Sequence, residues 1–527
     1  MEILNSSQMA EADAFTIKEI GTPSIVLMEN AAITVVDEIL ERIPDVSSVA
    51  IVAGAGNNGG DGFAIARQLI NLGISCDIFL ACNESKLKGD GLINYNILKN
   101  YEADVHFLCH SEQCEESQQE NADRSLTTQS DVTKTSFAKY EITIDALFGT
   151  GLTRPLEGSL IGLVQNMNLT SNYIVAVDIP SGLSGDTYNV IGECIDADLT
   201  VTFARPKFPH TLFPARDFCG EIVVTEISIP DQAIETVGCE TFLLDEDTLP
   251  CFPEREEDSH KGDHGHAVII GGSEGKSGAV FMASKACARV GAGLTTTAVP
   301  AKLMQVAEMA NPEIMSVAVG DKAHFIEEGI DKFVKFLDGK TVCAVGPGIG
   351  THKETGEFLG ELIYKTKLPI IIDADGINLL EKSSYAKLKN RCILTPHIGE
   401  FATLIGKSKE EVLADRIELA REFAKENEVV LVLKSADTLI ALPDGQVYVN
   451  ITGTPALAKG GSGDCLTGLI AGYTAQGFDL PEAACLGAYT LGRTAELLSE
   501  EMNEKSILTT DIIENIWKTI DELEENS

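Results

Sequence analysis

Short, unbroken apolar runs, separated by segments of helical period, recur through most of this chain, and that pattern leaves few folds open. In the first half the runs fall at residues 48–54, 75–80, 141–146, 173–178, 198–203 and 221–228. In the second half they fall at 267–270, 294–298, 341–345, 369–373, 391–395, 429–434 and 437–441. Strands that are apolar on both faces must be covered on both faces, so the alternation predicts parallel sheets wrapped by helices. Residues 7–43 read as helical with a break at Gly21-Thr22-Pro23, another helix is expected near 62–72, and the last hundred residues read as mostly helical. The fold class is α/β throughout: an N-terminal Rossmann-like doubly wound domain followed by a second α/β domain. No sequence repeat relates the halves.

Two stretches depart from the alternation. Residues 110–138 are polar, rich in Ser, Thr, Gln and Glu, and read as a mobile excursion between helix and strand. Residues 229–262 carry Pro230, Pro250 and Pro253, then the acidic run Glu254-Arg255-Glu256-Glu257-Asp258, which marks a junction. The expected domains are 1–228, a linker at 229–240, and 241–527.

Composition narrows the function. Eighty acidic against 40 basic residues give a formal charge of −40, which disfavours nucleic acid and anionic membranes as partners. It also suits a salt-rich cytosol that screens a dense carboxylate surface. The N-terminus shows neither a basic nor an apolar signal region, and no apolar run reaches membrane-spanning length. The 13 cysteines include no CxxC pair and lie mostly in apolar segments, so reduced thiols in the cytoplasm are expected.

The chemistry-bearing residues sit where strands end. Gly460, Gly461 and Gly463 in Lys-Gly-Gly-Ser-Gly-Asp-Cys precede an apolar helix, whose N-terminus offers unpaired N–H groups to a phosphate. Asp464 stands beside that anion site and suits phosphate chemistry at a hydroxyl. In the first half, Asn57-Asn58-Gly59-Gly60-Asp61-Gly62 is read as a glycine-rich loop between strand and helix. Asp145 lies near the end of one strand, before Phe148-Gly149-Thr150-Gly151-Leu152, and Asp178 ends another, before Ile179-Pro180-Ser181-Gly182. Parallel strands bring all three ends to one edge. Oxygens of Asn58, Asp145 and Ser181 could hold a hard cation there, leaving Asp178 for proton transfer. A strand-end aspartate taken singly is more often a helix cap. Gly275-Lys276-Ser277 matches the end of a P-loop, but the motif's first glycine would fall on Ile270 inside a strand, so a Walker A reading is weak. His260 and His264 flank Asp263 without a third zinc ligand. His397 reads equally as a structural histidine or a ligand contact, and Asp373 and Asp375 as loop caps.

Together these motifs resemble known families. Met28-Glu29-Asn30-Ala31, Asn57-Asn58-Gly59-Gly60-Asp61, Asp145-Ala146-Leu147-Phe148-Gly149-Thr150-Gly151 and Val177-Asp178-Ile179-Pro180-Ser181-Gly182 resemble the NAD(P)H-hydrate epimerase family over about residues 1–228. The resemblance implies R/S interconversion at the hydrated nicotinamide carbon. Asn57, Asn58, Gly59, Gly60 and Asp61, the loop Gly149, Thr150, Gly151, Leu152, Thr153, Arg154 and Pro155, and Asp178 would meet substrate. Asn58, Asp145 and Ser181 would hold a potassium ion.

Lys261-Gly262-Asp263-His264-Gly265, Gly346-Pro347-Gly348-Ile349-Gly350, Asp373-Ala374-Asp375-Gly376, Thr395-Pro396-His397-Ile398-Gly399-Glu400 and Gly460-Gly461-Ser462-Gly463-Asp464 resemble the ribokinase-like ADP/ATP-dependent NAD(P)H-hydrate dehydratase family over about 240–520. Here the resemblance implies that Ala279, Gly348, His397 and Asp464 surround the hydrated dinucleotide, with Asp464 as catalytic base. Lys434, Ser435, Ala436, Asp437, Thr438 and Gly463 would hold the nucleotide, ADP in preference to ATP, with magnesium. Phosphorylation would turn the ring hydroxyl into a leaving phosphate, and elimination would restore NADH or NADPH. The small-molecule partners are then the hydrates NADHX and NADPHX plus ADP, and a homo-oligomer is expected. A vitamin-type small-molecule kinase and a scaffolding role for the first half are the competing readings.

Overall fold

The computed structural model describes residues 1–101, 103–109, 127–131, 135–252 and 255–525. Two compact units divide between Cys239 and Glu240, Met1 being grouped with the second. The stretch 229–240, expected as a linker, carries a short helix, Asp231–Thr236, whose Ala233 and Ile234 are buried in the first unit's core.

The first unit opens with α1 (Ser6–Phe15), a π-helical turn ending at Gly21, and α2 (Ser24–Arg42). Leu27, Met28, Ala31, Ala32, Val35, Val36 and Ile39 put a buried stripe along one face of α2 at helical spacing. Then come β1 (Ser48–Ala53), α3 (Asn57–Asn71), β2 (Ser75–Leu80), α4 (Gly89–Lys99), β3 (Asp104–Cys109), β4 (Thr127–Asp131), β5 (Ile142–Ala146), α5 (Ser159–Thr170), β6 (Ile174–Val177), β7 (Leu199–Phe203) and β8 (Glu221–Thr225). The sheet runs β4-β3-β2-β1-β5-β6-β7-β8 with every pair parallel. Strand order reverses between β1 and β5, so the crevice at their carboxyl ends is where ligands bind in such sheets.

The second unit holds β9 (Thr241–Leu243), β10 (His266–Ile270), α6 (Ser277–Arg289), β11 (Leu294–Pro300), β12 (Met315–Val319), β13 (Val342–Val345), α7 (Lys353–Lys365), β14 (Ile370–Ile372), β15 (Cys392–Leu394), α8 (Ile398–Ile405), α9 (Arg416–Asn427), β16 (Val430–Leu433), β17 (Thr438–Ala441), β18 (Val447–Asn450), α10 (Ser462–Gln476), α11 (Leu480–Glu501) and α12 (Thr509–Glu525). Its order is β12-β11-β10-β13-β14-β15-β16-β17-β18-β9, parallel from β12 to β16 and antiparallel through the β16–β17–β18 hairpins. The reversal lies between β10 and β13.

Helix α10 is buried along most of its length and packs on α6. The approach is set by glycines. A Cβ at Gly468 would sit 2.1 Å from the Ala283 carbonyl oxygen, and one at Gly472 would sit 2.2 Å from Val290 Cγ1. This close packing fixes where the N-terminus of α10 points. No helix among the described residues is long and apolar enough to cross a membrane.

The strand expectations need additions and one correction. Strands β3, β4, β9, β12 and β18 were not foreseen. Strand β4 lies inside the 110–138 segment expected as an excursion; residues 110–126 and 132–134 of that segment lie outside the described residues. The correction concerns Asn57-Asn58-Gly59-Gly60-Asp61-Gly62. It is not a loop but the opening of α3, because Gly59 and Gly60 supply the space that helix needs against its neighbours.

Candidate active sites

In the first unit the crevice is built by close backbone approaches. A Cβ at Gly54 would lie 2.1 Å from the Leu147 carbonyl oxygen, and one at Gly59 would lie 2.1 Å from the Gly54 carbonyl oxygen. These contacts seat the start of α3 against the loop after β5. A Cβ at Gly60 would meet Met28 and Gly91, so Gly60 serves the packing of α3 on α2 and α4. The resulting cavity of about 520 Å³ is lined by Asn57, Asn58, Asp61, Asp178 and the 149–152 loop, and also by Asp13 and Lys207. Thr153, Arg154 and Pro155 are exposed and do not line it.

Asn58 is 6% exposed, and among the described residues neither polar atom of its amide has a hydrogen-bond partner. Such a group is costly unless a ligand satisfies it. Asp145 lies deeper, fully buried. Its Oδ1 accepts from Ser181 Oγ at 2.7 Å and its Oδ2 from the Ser181 N–H at 2.7 Å. Burial pushes its carboxyl up to about 6, against the lowering effect of those hydrogen bonds.

Asp178 follows β6 with a left-handed backbone, φ 65°, an unusual conformation for a non-glycine residue that is typical of functional strand ends. Its Oδ1 accepts from Lys207 Nζ at 2.7 Å and Thr202 Oγ1 at 3.0 Å. Lys207 is 1% exposed and also donates to Thr202 Oγ1 and the Phe203 carbonyl. Burial, the largest single effect, raises the Asp178 carboxyl, but the Lys207 charge and hydrogen bond, with His210 and the Thr202 hydrogen bond, together outweigh it, and the group ends below its ordinary value. The neighbours go the other way. Burial, then the Asp178 charge, pushes Asp61 well above its ordinary value. Asp13 rises to about 6, chiefly through burial, although Lys207 opposes the shift. Buried His210 falls to about 3 through burial and the Lys207 charge. Sequence inspection missed Asp13, Thr202, Lys207 and His210. Asp13 lies on α1, far away in the chain. Lys207, five residues after Thr202, carried no motif.

In the second unit the strand ends gather around Asp373. Its buried carboxylate, 1% exposed, accepts from Thr395 Oγ1 at 2.7 Å, Lys434 Nζ at 2.7 Å and Thr467 Oγ1 at 2.8 Å. Gly346, at φ 132°, lets β13 pass with a Cβ position only 1.8 Å from the Asp373 carbonyl oxygen. Asp375 accepts from Lys276 Nζ at 3.0 Å and from the Gly350 N–H at 3.1 Å, tying the loops after β10 and β13 together. A Cβ at Gly348 would meet Ala279 Cβ at 3.1 Å, so these two expected substrate contacts are neighbours.

Asp464 stands in the first turn of α10, after Gly461 at φ 104°. Lys459 Nζ donates to the Lys505 carbonyl at 2.8 Å and Thr509 Oγ1 to the Gly460 carbonyl at 3.1 Å, which pin the approach to the helix. A Cβ at Gly463 would lie 3.3 Å from Lys434 Nζ. Among the described residues no lysine pairs with Asp464. Burial, then the Asp373 charge, lifts it to about 6, only partly offset by Lys434. Ser462 Oγ, at the same helix start, is buried and has no hydrogen-bond partner among the described residues.

The expected nucleotide contacts divide. Lys434 reaches the centre, but its ammonium pairs with Asp373. Asp437 is fully buried with both carboxylate oxygens on the Arg416 guanidinium, and Ser435 Oγ donates to the Asp437 carbonyl at 2.7 Å. That ion pair shapes the 434–438 turn from inside, leaving Ala436 exposed at its tip. His397 is the N-cap of α8. Its Nδ1 accepts from the Gly399 N–H at 2.9 Å and the Glu400 N–H at 3.2 Å, while its ring is largely exposed beside the Lys434 backbone.

Two family models match the chain in order: the YjeF-related protein N-terminus at residues 24–208 and NAD(P)H-hydrate dehydratase at residues 267–518. A bifunctional NAD(P)H-hydrate repair enzyme of Moorella thermoacetica is 34% identical across 100% of this chain and 98% of its own length. That of Coxiella burnetii is 32% identical over 98% of both. The chain belongs to the bifunctional NAD(P)H-hydrate repair enzyme family. Among solved structures, an ADP/ATP-dependent NAD(P)H-hydrate dehydratase from Bacillus subtilis, co-crystallized with ATP and Mg²⁺, is 30% identical. It covers 53% of this chain and 98% of its own, with a TM-score of 0.45. A ribokinase-like superfamily protein from Enterococcus faecalis is 25% identical, covering 54% of this chain and 96% of its own, with a TM-score of 0.48. The first crevice thus belongs to the YjeF-type domain and the second to the dehydratase domain.

Proposed function

We propose that the chain interconverts the R and S hydrates of NADH and NADPH in its first crevice and dehydrates the S form in its second, using ADP. The observation that carries this reading is the unpaired, raised Asp464 carboxylate at the start of α10, beside the Asp373–Lys434 pair. In that position Asp464 takes the proton of the ring hydroxyl as its oxygen attacks the terminal phosphorus. The N–H groups opening α10 and the Lys434 charge stabilise the negative charge on the transferred group. The new oxygen–phosphorus bond replaces the one to the departing AMP; the ring C–O bond then breaks, phosphate taking that electron pair while the ring nitrogen's lone pair fills in, and loss of a proton from the neighbouring ring carbon re-forms the carbon–carbon double bond. The Ala279–Gly348 contact and the exposed ring of His397 border the dinucleotide. Gly463 and the 434–438 turn border the nucleotide, with Ser435, Ala436, Asp437 and Thr438 acting through that turn's backbone. An oxygen of Asp375 and those of the nucleotide phosphates suit magnesium, which would neutralise phosphate charge.

In the first crevice the oxygens of Asn58, Asp145 and Ser181 fit a potassium ion, the unpartnered Asn58 amide being the strongest sign. The ion would offset the carboxylate charge and hold the loop after β5. Asp178, held low by the Lys207 ammonium, and Asp61, pushed up by burial and the Asp178 charge, supply a base and an acid on one cavity wall. Protonating the hydroxyl releases water from the carbon beside the ring nitrogen, and water returning to the other face gives the second epimer with the proton handed back. Eleven described cysteines are free thiols, in keeping with a cytoplasmic protein.

Racemic NADPH hydrate with ADP, with and without potassium, tests the reading. Consumption of both epimers with recovery of NADPH and free phosphate is expected. Accumulation of a stable phosphorylated product would instead make the second crevice that of a plain kinase.

A further inference from the structure

Outside both crevices, three side chains with the chemistry of a metal site converge in the second unit. His324 follows β12, His352 is the N-cap of α7, and Glu354 lies in that helix's first turn. Their ligand atoms all lie within 4.8 Å of one another, and this is the only group of three or more such residues found among the described ones. The imidazoles stack with centroids 3.9 Å apart and planes 24° apart. His324 Nε2 lies 2.7 Å and His352 Nδ1 3.8 Å from the same oxygen, Glu354 Oε2. Lys322 Nζ donates to the other oxygen, Oε1, at 3.0 Å, fixing the carboxylate with Oε2 toward the rings. Tetrahedral bonds of the usual zinc–nitrogen and zinc–oxygen length put neighbouring donors about 3.3 Å apart. The 2.7 and 3.8 Å separations bracket that value, so a small closing of one ring and opening of the other would admit the ion.

We propose that His324, His352 and Glu354 bind one borderline divalent transition cation of the zinc class, with water as the remaining ligand. Two imidazoles and one carboxylate favour zinc, cobalt, nickel or copper over magnesium and calcium. Lys322 is the outer partner that orients the carboxylate, the role such residues play at known sites. The site is separate from the magnesium expected with the nucleotide. It joins the segment after β12 to the start of α7, just past the Gly346–Gly350 turn of the dehydratase crevice. The other histidine pair, at 260 and 264, offers nothing comparable: His260 Nδ1 meets Asp263 at 2.9 Å, and His264 Nε2 meets only Ser259 Oγ at 3.2 Å.

Cobalt titration of the full, metal-stripped chain tests this, read by visible d–d absorption and by metal content. One equivalent with a four- or five-coordinate spectrum is expected, retained in a large excess of magnesium. His352→Asn and Glu354→Gln should each weaken binding by at least about tenfold, the lower end of what losing even an outer partner costs, whereas His264→Ala should not change it. His352 makes no side-chain cap bond, and asparagine is a favoured N-cap, so His352→Asn keeps α7 folded. Failure to take up one equivalent, or uptake equal in the wild type, His352→Asn and Glu354→Gln, would overturn the assignment.

Discussion

Both crevices place a lysine–aspartate pair under the strand ends, yet they use it in opposite ways. In the first, the pair is Lys207–Asp178, and the paired carboxylate itself faces the cavity and stays ionised. In the second, the pair is Lys434–Asp373, and the carboxylate expected to do the chemistry is the unpaired neighbour, Asp464, pushed up to about 6. The same device therefore gives two kinds of acid. A lysine in contact fixes a charge, whereas a neighbouring buried carboxylate without one becomes a proton carrier near neutral pH. In the first crevice Asp13, pushed up to about 6, is a carboxylate of this second kind, and burial shifts Asp61 in the same direction.

The largest expected effects come from removing the two facing carboxylates. Asp464→Asn should cut nucleotide-dependent dehydration by about a thousandfold, within the range for a general base, and leave epimer exchange intact. Asp178→Asn should do the reverse, and an assay that follows each epimer separately would expose any crossover. Lys207→Met comes next. Removing one partner of a buried ion pair costs about 3–5 kcal/mol, because the other charge stays behind. Denaturant unfolding should show that loss in the first unit, together with a slowed epimerase, and an unchanged midpoint would mean that the pair is not buried as described.

A smaller effect separates packing from chemistry. At Gly472 an added methyl meets Val290 Cγ1 at 2.2 Å and the Cys287 carbonyl oxygen at 2.8 Å, whereas at Gly278 it meets nothing. Gly472→Ala should lose about 1–3 kcal/mol by overpacking, and Gly278→Ala should lose nothing. Equal melting temperatures for the two would refute the tight α10–α6 contact.

The smallest effect is a shift in a pH profile. Asp464 must be ionised to take a proton, so dehydration should fall as pH drops through about 6, where the acid form takes over. The Asp373 charge helps hold that value up, so Asp373→Asn should move the limb to lower pH. A limb that does not move would remove Asp373 as a cause.

What could be read from sequence follows from where each signal lies in the chain. The long apolar strands β1, β5, β10 and β13, the break at Gly21–Pro23 and the glycine-rich approach to Asp464 are local patterns, and they announced both sheets and both crevices. Strand β12, with Met315 and Ala318 exposed, and β9, with only three residues, have too little apolar period to stand out. The opening of α3 was misread because two asparagines and two glycines resemble a loop, and only the nearness of Gly54, Met28 and Gly91 shows why a helix needs them there. Partners distant in sequence were invisible for the same reason. Arg416 claims Asp437 from 21 residues away, and Thr467 reaches Asp373 across 94. Side chains named for ligand contact thus include some that shape the site from within, as His397 does by capping α8.

Carbon-13 titration of the aspartate carboxyls in the full chain, with Asp464 and Asp178 assigned from difference spectra of their asparagine variants, would compare the two crevices in one sample. Asp464 should titrate near 6 and Asp178 below the ordinary aspartate value. The reverse order, with Asp178 the weaker acid, would show that the paired and unpaired roles are assigned to the wrong crevices.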